Sequence, residues 1–166
     1  MITSAVRGVV VAALTTTFAL LPALAHAEEK DADNDIERVE LVGLSGSDTT
    51  PVRDVETSDS WTNHMDLYTE VTDGSGKKTL RHAGDGTSEC SAIVVQGPEV
   101  TAQCTRVLRL EKGTLTLSDM IRYKPGERVT AKTGITAGTG HYRSAYGEGH
   151  IALEGRQVRL VLDVDE

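Results

Sequence analysis

Arg106 and Asp119 have the clearest chemical potential in this sequence, because each interrupts an otherwise apolar alternation on its own β-rich run. A two-residue turn at Lys112-Gly113 would set Leu110 opposite Leu115, Leu108 opposite Leu117, Arg106 opposite Asp119 and Cys104 opposite Ile121. Apolar then meets apolar, and the one charged pair is complementary. Three placements are open to that pair. It can be a mutually neutralising buried ion pair of structural value. It can lie inside a cavity of low dielectric, where its field polarises or protonates a ligand. It can also face outward into an oligomer interface. In the cavity placement Arg106 and Asp119 supply electrostatic stabilisation and Tyr142 a hydrogen bond, while Tyr68, Leu117 and Ile121 line the pocket. Tyr123 and Tyr146 are further phenols of the same kind, although tyrosines of a barrel more often pack at the rim with a wet hydroxyl.

The two cysteines follow the same register arithmetic. A three-residue loop Gln96-Gly97-Pro98 pairs Val94 with Val100, Ala92 with Ala102 and Cys90 with Cys104, which predicts a cross-strand disulfide in an exported chain. A free-thiol nucleophile is the sharper alternative, and no redox C-x-x-C motif is present. His64, His82, His141 and His150 lack metal-ligand spacing, so no metal site is expected. No G-x-S-x-G elbow occurs, and Ser45-Gly46-Ser47 falls in an expected loop.

The elements that must carry these residues are short, Thr-rich and β-branched. They are 36–42, 62–72, 77–82, 90–95, 99–110, 114–123, 128–133, 145–153 and 157–164, separated by turns that contain glycine. No sustained helical period interrupts them. Gly155-Arg156 makes a further hairpin, pairing Leu153 with Val158, Ile151 with Leu160 and Gly149 with Leu162, and Asp73-Gly74-Ser75-Gly76 makes another turn. Gly43 to Asp59 reads as an irregular connection with one short edge strand at Val52 to Glu56. Eight or nine strands at this spacing predict an all-β protein, and closure of a meander into an antiparallel barrel would remove its exposed edges.

Residues 1–27 contain one charged side chain, Arg7, an apolar run and the triplet Ala25-His26-Ala27, the pattern of a secretory signal cut before Glu28. An acidic, solvated leader over 28–35 and a barrel domain over 36–166 would follow. Without the signal, 139 residues remain, with 16 basic against 25 acidic side chains and a net charge of −9. That balance argues against nucleic acid and anionic membrane as partners. One domain of this length has room for a real core but not for two.

The stretch from Gly134 to Gly149 is not a dinucleotide fingerprint, since Arg143 stands where the third glycine belongs and no helix follows. It resembles the GGTG-x-Y-x-x-A-x-G signature of the allene oxide cyclase and dirigent barrel superfamily. Gly138, Thr139, Gly140, Tyr142, Ala145 and Gly147 are in place, and Ala137 replaces one glycine. Asp66-Leu67-Tyr68, Asp73 to Lys78 and Gly113 to Leu117 are similar to hairpins of the same group. The resemblance implies an eight-stranded antiparallel barrel with a hydrophobic central cavity, assembled into dimers or trimers. It also implies a cofactor-independent cyclase that holds a hydrophobic natural-product intermediate in a reactive conformer. The alternative from a different class is a secreted barrel that binds or displays without catalysis. The chain's low aromatic content, 4%, favours that alternative because few rings are left to stack on a ligand.

Overall fold

The structure is a computed structural model that describes residues 36–50 and 54–165; the signal and leader expected at 1–35 lie outside them. Eight strands follow one another, β1 (Glu37–Asp48), β2 (Ser60–Thr72), β3 (Lys78–Gln96), β4 (Glu99–Leu110), β5 (Gly113–Tyr123), β6 (Val129–Gly138), β7 (Tyr146–Glu154) and β8 (Gln157–Asp165). Each pairs antiparallel with the next, and β8 pairs with β1, so the sheet closes into an eight-stranded barrel. A single turn of 3-10 helix, Gly140–Tyr142, sits between β6 and β7.

Alternation sorts the side chains. On β4, Val100, Ala102, Cys104, Arg106 and Leu108 are buried, and on β8 Val158, Leu160, Leu162 and Val164 are. Closure leaves these positions one place to go, the barrel interior. The apolar interior forms two clusters. The larger, centred on Met65, Leu67, Leu108, Leu115, Leu117 and Leu160, fills the end bounded by the β2–β3, β4–β5 and β6–β7 connections. The smaller surrounds Trp61, the cysteines, Ile121 and Val129 toward the opposite end. Val55, from the β1–β2 connection, joins the smaller cluster.

Several expectations are corrected by the pairing. The runs 77–82 and 90–95 are the two ends of the single strand β3, which passes through Gly84 and Gly86 with a bulge opposite Leu67/Tyr68. β1 continues to Asp48 instead of ending at Val42, because its first part pairs with β8 and its second with β2. Asp54–Glu56 is not a strand, and Val52 and Arg53 lie outside the described residues.

The β3–β4 hairpin keeps Cys90 opposite Cys104 and Ala92 opposite Ala102. Its loop is shorter than expected, however, and a bulge after Ala92 places Val95, not Val94, opposite Val100. The β4–β5 hairpin turns at Glu111-Lys112, so Leu110 faces Gly113, Leu108 faces Leu115, Arg106 faces Leu117 and Cys104 faces Asp119. Gly113 belongs to the strand because its φ of +151° and its contact with the next connection both exclude a side chain: a Cβ there would lie 2.0 Å from the Thr139 carbonyl oxygen. A shift of two residues preserves faces, so the inward set is unchanged. The β7–β8 hairpin has the expected register throughout.

Cys90 and Cys104 are joined, with an S–S distance of 2.02 Å and Cα atoms 4.1 Å apart. Replacing both by Ala should cost about 3 kcal/mol on the chain-entropy estimate for a loop of this size, read as a fall in Tm of roughly 10 °C. Reductant should lower the Tm of the natural protein by a similar amount and leave that of the Cys90→Ala/Cys104→Ala variant unchanged. Equal Tm values for the two oxidised proteins would remove the disulfide from the stability account.

Candidate functional site

Polar residues cross the barrel interior where the two apolar clusters meet. Ser45, Ser88, Arg106, Asp119 and Thr133 are all buried among otherwise apolar inward positions. The ladder explains their common level: Asn63 pairs with Ser88, Ser88 with Arg106, and Asp119 with Thr133. Asn63 Nδ2 donates to Ser45 Oγ at 2.8 Å, extending the belt to β1. Six consecutive strands, β1 to β6, thus contribute one polar side chain each at this level.

Arg106 and Asp119 form the centre of the belt. They are not directly opposite but diagonal, within reach of a long side chain. Arg106 Nε donates to Asp119 Oδ2 at 2.8 Å and Nη2 donates to Oδ1 at 3.1 Å, a bidentate pair that is 2% and 5% exposed. The Thr133 hydroxyl stands 3.3 Å from both Asp119 Oδ2 and the Ser118 carbonyl oxygen. Both carboxylate oxygens are therefore committed to the wall, whereas only part of the guanidinium fork is. The burial of both side chains inside the barrel rules out the outward-facing placement.

Above the belt, toward the smaller cluster, lies a cavity of about 200 Å³. Trp61, Ile121, Val129, Leu153 and Val158 form its apolar walls, and Arg106, Ser88, Asn63 and Tyr123 supply polar atoms. Asp48, Glu127 and Arg156 stand at its mouth, at the end of β1 and in the β5–β6 and β7–β8 connections. Arg156 is held there by donating through Nε and Nη2 to the Ser45 carbonyl at 3.1 and 2.6 Å. Trp61 packs edge-on against Tyr123, their ring centroids 6.4 Å apart.

Two buried polar atoms of this region have no hydrogen-bond partner, the Tyr123 hydroxyl and Asn63 Oδ1. Buried polar groups are nearly always paired, so two orphans bordering one cavity mark a place where another molecule completes the bonding. Burial, and after it the nearby Asp48 carboxylate, pushes the Tyr123 phenol above its ordinary value.

The expected site residues divide between the two halves of the barrel. Arg106 and Ile121 line the cavity, and Asp119 meets it through Arg106. Leu117 packs in the larger apolar cluster. Tyr142 is buried in the 3-10 turn at the far end, where Gly138 lets the chain fold back: a Cβ on Gly138 would lie 1.9 Å from the Tyr142 carbonyl oxygen. Tyr68 packs edge-on against His82, their centroids 5.6 Å apart, and does not border the cavity. The glycine-rich motif therefore lies at the end of the barrel opposite this cavity, where Tyr142 borders a second one of about 440 Å³ with Val39, Leu41, His82 and Leu110. Trp61, Asn63 and Ser88 were carried by a signal that the run 62–72 and its neighbours do contain. Trp61, Met65 and Leu67 alternate as an apolar face, and Asn63 interrupts it as Arg106 interrupts β4. Among the described residues, no group of three or more His, Cys, Asp or Glu side chains could hold a metal ion, and no helix is long and apolar enough to cross a membrane.

No protein-family model matches the chain, and no curated protein matches it. Among solved structures it is similar to one titled pyocyanin demethylase, with a TM-score of 0.58 and 17% sequence identity, covering 78% of this chain and 100% of that one. At that identity the likeness is one of fold alone.

Two measurements follow from the geometry. Arg106→Met leaves a buried carboxylate without its partner and should cost about 3–5 kcal/mol. Arg106→Met/Asp119→Leu removes both charges and should recover most of that loss, so urea unfolding of the two singles and the double should show strong coupling. Additive losses would mean that the pair does not act as a unit. The second measurement concerns alkaline pH. Because the native Tyr123 phenol holds its proton more tightly than the unfolded chain does, its contribution is complete below the ordinary value of 10.0 and is lost as pH rises toward the native value. Tyr123→Phe should therefore flatten the alkaline limb of the stability profile, and an unchanged limb would place the destabilisation elsewhere.

Proposed function

We propose that this protein is an exported barrel that binds a small, largely hydrophobic molecule at its open end and steers ring closure of that molecule without a cofactor. One observation carries the proposal: a guanidinium fork fixed by a committed carboxylate, together with the unpaired Tyr123 hydroxyl and Asn63 oxygen, borders a cavity whose inner walls are largely apolar. Preorganised donors of this kind stabilise negative charge as it develops on a carbonyl or enolate oxygen, at little reorganisation cost. Apolar walls hold the rest of the ligand in a folded conformer. Support for export comes from the disulfide, which fits an oxidising compartment, and from the signal pattern in residues 1–27. The glycine motif's resemblance to the allene oxide cyclase and dirigent superfamily supports ring closure, and the barrel's likeness to a protein named as a demethylase supports catalytic use of such a fold.

Size restricts the ligand. Pockets for drug-sized molecules run from about 300 to 1,000 Å³, and an apolar cavity of roughly 150 Å³ accepts benzene. At about 200 Å³ this cavity suits a compact compound of one or two small rings. The placement of Asp119 favours a second reading, binding without catalysis, since both its oxygens are engaged by Arg106 and it does not itself line the cavity.

A model reaction separates the two readings. Closure of 2-hydroxyphenyl vinyl ketone to chroman-4-one proceeds slowly by itself, and its product has a compact bicyclic skeleton. The natural protein should accelerate it at least tenfold over Arg106→Leu/Asp119→Asn, the modest end of what removing an oxyanion donor costs. Tight binding of chroman-4-one with no difference in rate between the two proteins would support the binding reading and overturn the cyclase.

A further inference from the structure

The charges around the cavity decide more about its ligand than its volume does. Arg106 is the one cation at the cavity floor, and Asp119 neutralises it within the wall through two hydrogen bonds. Among the described residues that line it, the mouth carries two carboxylates, Asp48 and Glu127, against one guanidinium, Arg156, which is turned onto the Ser45 carbonyl. A ligand therefore enters past net negative charge and settles on a floor whose net charge is zero. Burying a carboxylate there would leave an unmatched charge in a small, mostly apolar space, which is costly.

The unpaired atoms specify the ligand's polar groups. The Tyr123 hydroxyl can donate to a carbonyl oxygen, and Asn63 Oδ1 can only accept, so it calls for a hydroxyl or N–H donor. The geometry points to a ligand class: a neutral, compact molecule carrying one hydroxyl donor and one carbonyl acceptor, selected over carboxylates of the same size and shape. This inference rests on the cavity being the binding site proposed above, and it adds a rule about charge that ring closure alone does not require. The elevated proton affinity of Tyr123, due first to burial and then to Asp48, agrees with a dry and negatively biased site.

Trp61 is the chain's single tryptophan and forms part of the cavity wall, so its fluorescence reports occupancy directly. The test uses two isosteric probes at pH 7, 2-acetylcyclohexanol and 2-hydroxycyclohexanecarboxylate, which differ by a methyl group in place of a charged oxygen. Each is titrated into the full protein by fluorescence and by calorimetry. The neutral ketone should bind at least tenfold more tightly than the carboxylate.

Asp119→Asn, which leaves Arg106 without its counter-charge, should shift that ratio by at least tenfold toward the carboxylate. Asp48→Asn/Glu127→Gln changes only exposed mouth residues, so it tests the same rule without touching the interior. It should strengthen carboxylate binding several-fold and leave ketone binding within twofold. Equal or tighter binding of the carboxylate by the natural protein overturns the charge rule while leaving the cavity as a binding site. Failure of both probes to perturb Trp61 or release heat at 50 mM overturns the binding site itself, and the charge rule with it.

Discussion

A barrel closed from eight strands has no edges to protect, but its interior must be filled by side chains drawn from every second residue of every strand. In this protein the filling is interrupted by charge. The bidentate contact between Arg106 and Asp119 lies between two apolar clusters, and its two partners come from adjacent strands on a diagonal. Neither charge is tolerable alone at such burial. Each therefore constrains the register of β4 against β5, and Thr133 ties the same level to β6.

From that level the barrel divides by function. Below it, leucines and Met65 form the larger apolar cluster, and a second cavity of about 440 Å³ borders Val39, Leu41, Leu110 and Tyr142 at that end. Above it the walls stay apolar, but the side chains do not meet, and a small cavity remains beside Trp61 and Tyr123. The disulfide joins the directly opposed pair one rung of the same face from Ser88 and Arg106. It fixes β3 to β4 where the cavity floor is built. Support is thus concentrated where polar atoms must be held in place, as preorganisation requires.

Electrostatic self-neutralisation gives the site a particular character. An arginine in a cavity would by itself read as an anion receptor. With its charge matched by Asp119 through two hydrogen bonds, the same arginine becomes a source of oriented N–H groups with no net attraction for a charged ligand. The acidic mouth reinforces that bias. The chemistry open to such a site is stabilisation of charge that develops during a reaction, rather than capture of charge already present.

The strand-rich architecture, the inward face of nearly every strand, the opposition of Cys90 and Cys104 and the presence of two charges on the inner side of β4 and β5 are all legible along the chain. All of these depend on an alternation of period two, which is local and survives a register error of two residues. The β4–β5 turn differs from the expected one by just that shift, because Gly113 is excluded from the loop by the Thr139 carbonyl, a contact between segments 26 residues apart. The division of long β3 into two runs has a similar origin, since its glycines are tolerated in a strand only because neighbours press on both sides. Which residues meet at which end of the barrel depends on contacts between distant strands. Those contacts place Tyr142 and Leu117 in the larger apolar cluster and bring Trp61, Asn63, Ser88 and Tyr123 around Arg106. Periodicity tells a residue which face it occupies, whereas height along a barrel is set by strand stagger around the closed sheet, a property that no single segment contains.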